Sequence, residues 1–187
     1  DGGPVALVSQ SGNVAVNALA SRRGLRLHTV VSCGNQAVLG AEDWLDALAE
    51  TEGVRSVALY LEDEGDGERW CEALERCARE NVGVAVLKAG ATPAGAAAAE
   101  AHTGAVAGDQ RAFRALFEEA GAAWARDPHE LLELAKALAT PRRVPRAPGV
   151  AVMTCSGGDS SVAADLAEEA GVELPALAPQ TVARLQE

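Results

Sequence analysis

One hydrophobic sentence repeats along the first two thirds of the chain: a short continuous apolar run, a turn, then an amphipathic stretch ended by glycine or polar residues. VALVS (5–9) leads through QSGN into the helical pattern VAVNALASRRG, with Gly24 as its stop. LRLHTVVS (25–32) is the next predicted strand and AEDWLDALAE (41–50) the next helix. VRSVALYLE (54–62) precedes GERWCEALERCARE (67–80), whose apolar residues fall at spacings of three and four. VGVAVLK (82–88) is a fourth strand. Continuous apolar strands alternating with helices specify a parallel sheet covered on both faces. The expected fold is α/β, a flavodoxin-like doubly wound parallel sheet with helices on both faces.

Past Lys88 the pattern changes to AGATPAGAAAAEAHTGAVAG, mostly Ala and Gly. Its 93–101 portion has helical propensity, and Gly104 and Gly108 break any continuation. Two more helices are predicted, at 109–120 and 128–139, with a short AAWAR between them. TPRRVPRAP (140–148) is rich in Pro and Arg, has no apolar face and reads as a linker. Beyond it, GVAVMTCSGGDSSVAADLAEEAG repeats the plan of GPVALVSQSGNVAVNALASRRG: apolar strand, Ser-Gly turn, Ala-rich helix, Gly stop. The expected organisation is a flavodoxin-like domain over 1–139, a linker over 140–148, and the beginning of a second similar subdomain over 149–187. One strand and about two helices are too little for a second sheet, so the natural protein is expected to continue.

Composition narrows the function. The 187 residues are 48% hydrophobic, only 3% aromatic, and carry a formal net charge of −11. Without a basic stripe to neutralise phosphates, nucleic-acid binding is not expected. No apolar run approaches the ~20 residues of a membrane span, and no signal peptide opens the sequence. Cys33, Cys71, Cys77 and Cys155 form no CxxC and read as reduced thiols, so the expected location is cytoplasmic. His28, His102 and His129 share no metal-ligand spacing, and no metal site is expected.

The candidate chemistry lies in turns. In both copies a strand delivers a Ser-Gly turn to a helix N-terminus, SQSGN at 9–13 and CSGGDS at 155–160. Such a terminus offers unpaired N–H groups and the positive end of the helix dipole to an anion. Ordinary capping by Ser explains the same residues and stays open beside it. The turns do not match the nucleophile elbow, the P-loop or the GxGxxG dinucleotide fingerprint. His102 sits in AEAHTGAVAG, among residues too small to pack around it. It is either a solvent-facing side chain or a nucleophile that carries a phosphoryl group. The second role needs a carboxylate to fix its tautomer, an anion site and freedom to move. Glu62 ends the YLE strand at the edge where sites form in doubly wound sheets.

In order and spacing, VALVSQSGNVA, VVSCGNQA, ALYLE, VLKAG and AHTGAVAG resemble the succinyl-CoA synthetase superfamily. The nearest resemblance is to the ADP-forming acyl-CoA synthetases, also called NDP-forming acetate–CoA ligases. It covers essentially the whole chain, and HTGA(V/L)AG is its most specific part. The resemblance implies that His102 is the phosphohistidine and that Glu62 contacts it. Ser11, Gly12 and Asn13 would begin one phosphate-holding helix, and Ser156, Gly157 and Gly158 a second, facing the first. It implies the reversible reaction of a carboxylic acid, CoA and ATP to acyl-CoA, ADP and phosphate. The family also requires a CoA-binding Rossmann domain and an ATP-grasp domain or subunit, neither of which lies in this sequence. CoA, ATP or ADP and Mg²⁺ would therefore bind mainly elsewhere, with no cofactor held tightly by this chain. The chain alone should be inactive, and an oligomer is expected.

Three positions depart from the family pattern. Ala101 replaces a serine, Val38 stands where an aspartate is common, and Asp159 stands where a small residue or proline is usual. A first-turn aspartate suits the helix dipole but repels phosphate, which weakens the second site more than the first. Two rivals remain. One is a non-catalytic ligase-like binding or regulatory module, for example attached to an acetyltransferase; such modules typically lack the motif histidine. The other is a flavodoxin-like cofactor or receiver domain, which the absence of a first-strand aspartate pair and of aromatic loops opposes.

Overall fold

The computed structural model describes residues 2–34, 36, 38–90, 92, 94, 95, 97, 98, 110–140 and 149–186. The chain divides into two compact units, Asp1–Arg142 and Arg143–Glu187. In the first unit the order is β1 (Val5–Ser9), α1 (Gly12–Leu19), β2 (Leu27–Ser32), α2 (Ala41–Ala49), β3 (Ser56–Leu61), α3 (Gly67–Arg79) and β4 (Gly83–Lys88). Then come α4 (Gln110–Glu119), β5 (Ala123–Trp124) and α5 (Pro128–Ala139). The five strands form one sheet in the order β2-β1-β3-β4-β5, and every pairing is parallel.

Strand side chains alternate between two cores. Ala6, Val8, Val57, Leu59, Leu61, Val84 and Val86 face α2, α3 and α4, where Trp70, Phe113 and Phe117 fill the layer. Trp70 and Phe117 meet edge-on with ring centroids 5.2 Å apart. Val5, Leu7, Ala58, Ala85 and Leu87 face the other way, against Ala18 of α1 and Leu131, Leu132 and Ala135 of α5. Burial on both sides is why these strands read as unbroken apolar runs rather than alternating ones. Arginines on α3 tie it to α2, Arg69 to Asp43 and Arg76 to Asp46 and Glu50.

Two features differ from the sequence reading. Ala123–Trp124 forms a short edge strand, β5, where only a connection was expected. In the second unit, α6 (Gly157–Glu169) and α7 (Pro179–Leu185) form, but no strand forms among the described residues of 149–156. A strand needs a hydrogen-bonding neighbour along its edge. Here Val150 N–H reaches Glu173 C=O at 2.9 Å, and Val150, Val152 and Met153 stay exposed. The expected linker, apart from Thr140, lies outside the described residues.

Candidate active site

The strand order places a topological switch between β1 and β3, because the chain leaves these two neighbours in opposite directions across the sheet. Ligands of doubly wound sheets bind beyond the carboxyl ends of the strands at such a point. Ser9 ends β1 and Leu61 ends β3, so the two segments that continue into this crevice begin with Gln10 and Glu62.

The turn after β1 is braced from below. Fully buried Ser9 donates through Oγ to the Ser11 carbonyl at 2.7 Å and accepts the Ser11 N–H at 3.1 Å. Ser11 is the N-cap of α1 in extended conformation, yet its side chain makes no capping hydrogen bond. The first turn of α1 has no acidic residue either. Gly12 and Asn13 are exposed there. Simple capping, the alternative explanation of this serine, does not account for it. What the turn presents is a helix N-terminus with backbone donors and, among the described residues, no side-chain cap.

Glu62 follows β3 directly and is partly buried. Its backbone is held on two sides. Gln10 Oε1 accepts the N–H groups of both Glu62 and Asp63, the latter at 2.7 Å. Lys88 Nζ donates to the carbonyls of Glu62 and Ala89, each at 3.0 Å. Lys88 is only 5% exposed. Burial pulls its ammonium below the usual lysine range, and the carboxylates of Glu64, Asp63 and Glu62 oppose that shift. Ser11, Gly12, Asn13 and Glu62 thus belong to one sheet edge, linked through Gln10. Gln10 and Lys88 went unnoticed in the sequence. Lys88 read as a strand end and Gln10 as a turn residue.

Val38 is 90% exposed, on the rim of a cleft of about 410 Å³ that also takes in Gln36, Glu42, Asp63 and Arg69. Among the described residues no three His, Cys, Asp or Glu side chains stand where they could hold one metal ion. His28 lies near the start of β2, its Nδ1 2.8 Å from Thr29 Oγ1. His129 lies in the first turn of α5. His102 lies outside the described residues.

In the second unit the Ser-Gly turn is built differently. Ser156 Oγ accepts the Asp159 N–H at 3.3 Å, a side-chain cap that Ser11 does not make. Thr154 Oγ1 accepts the Ser156 N–H at 3.1 Å and donates to Asp159 Oδ2 at 3.4 Å. Gly157 and Gly158 are exposed beside a first-turn carboxylate.

Residues 2–138 match the succinyl-CoA ligase like flavodoxin domain. The chain belongs to this family. Over 187 residues it is 36% identical to acetate–CoA ligase [ADP-forming] I of Archaeoglobus fulgidus, covering 99% of this chain and 27% of that protein. It is 32% identical to the alpha subunit of acetate–CoA ligase [ADP-forming] II of Pyrococcus furiosus, covering 98% of this chain and 40% of that subunit. A solved structure of Ca. Korarchaeum cryptofilum dinucleotide forming acetyl-coenzyme A synthetase 1, in complex with phosphate and ADP, superposes with a TM-score of 0.78. That structure shares 28% identity over 92% of this chain and 38% of its own. This succinyl-CoA ligase-like domain therefore spans between 27% and 40% of the length of these relatives. Among its described residues no helix is long and apolar enough to cross a membrane.

Proposed function

We propose that this succinyl-CoA ligase-like chain is the histidine-bearing part of an ADP-forming acyl-CoA synthetase. In the acid-forming direction, His102 attacks the phosphorus of an acyl phosphate. The P–O bond to the acyl group breaks, the carboxylate leaves, and the phosphoryl group resides on the imidazole. A nucleoside diphosphate on the ATP-grasp portion then takes it to form the triphosphate. The reverse sequence starts from ATP and ends, with CoA, in acyl-CoA, ADP and phosphate. Glu62 orients the imidazole and fixes its tautomer, so that the attacking nitrogen carries the free pair. The amides at Ser11, Gly12 and Asn13 receive the phosphoryl oxygens.

The observation that carries this reading is the meeting of two parts at the β1–β3 switch. An uncapped helix terminus and a carboxylate held at its backbone stand at one edge, where an anion and a base are both needed. Ser156, Gly157 and Gly158 form a second phosphate-holding turn. It is the weaker of the two, because the Asp159 carboxylate repels phosphate and the Ser156 cap occupies one of its donors. That same feature is what favours the rival reading, a ligase-like module without turnover. His102 favours the catalytic one. CoA, the nucleotide, Mg²⁺ and the carboxylic acid are handled mainly by the remaining domains or subunits, in an oligomeric cytoplasmic enzyme.

The test is acid-labile labelling of the complete ligase from γ-labelled ATP. Label is expected to vanish in His102→Ala and to persist in His129→Ala. Label that survives in His102→Ala overturns the relay.

A further inference from the structure

We propose that Gln10 and Lys88 are positioning residues that extend the sheet's pairing by one residue, so that Glu62 leaves β3 along a fixed direction. The inference rests on the reading of Glu62 as the orienting carboxylate and adds what makes it one.

The backbone ladder on both sides of β3 stops just short of Glu62. On one side the last bond runs from Gln10 N–H to Tyr60 C=O at 3.0 Å. On the other it runs from Ala89 N–H to Leu61 C=O at 2.8 Å. Past these points the flanking chains turn away into α1 and into the segment after Gly90, which has a φ of +77°. Two side chains then take over from the backbone. Gln10, whose own N–H made the last β1–β3 bond, supplies Oε1 to the N–H groups of Glu62 and Asp63. Lys88, level with Leu61 in the β3–β4 register, supplies Nζ to the Glu62 carbonyl. The Glu62 peptide groups are therefore gripped from β1 and from β4 at once.

Packing alone gives little reason for this arrangement. A lysine that is 5% exposed is costly to bury, and a methionine would fill the same volume without that cost. Lys88 spends its donors on two backbone carbonyls, one of them that of the candidate site residue. The three carboxylates that oppose the effect of its burial, Glu62, Asp63 and Glu64, are the first three residues of the loop it grips. A positive charge at that place keeps a strongly acidic loop from splaying and holds its first residue at the sheet edge. Orientation matters because a displacement of about 1 Å in a catalytic group can cost ~10²-fold in rate.

The test measures single-turnover phosphoryl transfer in the complete ligase, together with amide exchange at Glu62 and Asp63. Gln10→Met removes the acceptor at similar length, and Lys88→Met keeps the packed stem without the donor. Gln10→Met and Lys88→Met are each expected to slow transfer by ~10-fold or more. Gln10→Met should speed exchange at Glu62 and Asp63 while the β3 amides stay protected. In a Glu62→Gln background, itself slowed by ~10²-fold, Gln10→Met should add little, because it acts through the same carboxylate. Equal slowing by Gln10→Met in both backgrounds overturns the clamp and leaves the role of Glu62 standing. Normal rates in both methionine variants with a slow Glu62→Gln do the same. A normal rate in Glu62→Gln removes the orienting role and the clamp together.

Discussion

Ser9 and Ser11 are joined by a reciprocal pair of hydrogen bonds, the Ser9 hydroxyl donating to the Ser11 carbonyl and accepting the Ser11 N–H. The turn that opens α1 is thus held by a buried side chain of the strand beneath it. The Ser11 hydroxyl does not cap the helix that follows. Ser9→Ala should cost about 1–3 kcal/mol, the range for leaving buried polar groups unsatisfied. Urea unfolding of this chain measures it, and an unchanged midpoint would show that water replaces the brace.

Gly83 opens β4 directly beneath α5. A Cβ built there would lie 2.7 Å from Leu138 Cβ, and that contact has no flexible end to swing away. Gly83→Ala should therefore push α5 off the sheet and destabilise the fold by about 1–3 kcal/mol, as overpacking does. Gly67→Ala, where a Cβ meets nothing within 4 Å, is the matched control and should be near neutral. Equal midpoints for the two variants would contradict the packing of α5.

Asp127 caps α5 by accepting the N–H groups of His129 at 2.7 Å and Glu130 at 2.9 Å. These bonds, that of Glu130 foremost, hold its carboxyl below the ordinary value of 3.8. A lowered folded-state pKa means that the contribution is complete above the unfolded value. It is lost as pH falls through the folded one. The stability gap between the wild type and Asp127→Ala should be constant above about pH 5 and narrow steadily below about pH 4. Denaturant unfolding across that range checks the sign. A gap that widens in acid would mean the cap works through its neutral form.

The central strands were legible because they are buried on two faces and carry almost unbroken apolar runs, as in VALVS and SVALYL. The same criterion missed β5, whose two residues are too few to make a pattern. It also suggested a strand at 149–154, where Val150 bonds Glu173 but no ladder forms among the described residues. Glu62 was legible from its place after an apolar run. Gln10 was not, because what it does is set by a partner 52 residues away. Lys88 looked like an ordinary polar strand end, and only its depth and its carbonyl partners distinguish it. The two Ser-Gly turns looked alike in sequence. Capping geometry separates them, since Ser156 bonds its own helix and Ser11 does not.

The strand order also dictates a timetable. β1 is made first but lies inside the sheet, between β2 and β3. As the chain emerges during synthesis, Val5–Ser9 gains one edge when Leu27–Ser32 appears and waits for Ser56–Leu61 to gain the other. Contacts this distant in sequence are slow to form, because the intervening loop must be closed before any of them is gained. Until then an apolar edge of β1 stands open to any other strand, the kind of exposure that chaperones cover. Gln10 cannot reach Glu62 before that closure, so the Ser-Gly turn after β1 and the carboxylate after β3 become neighbours only in the step that pairs these two strands.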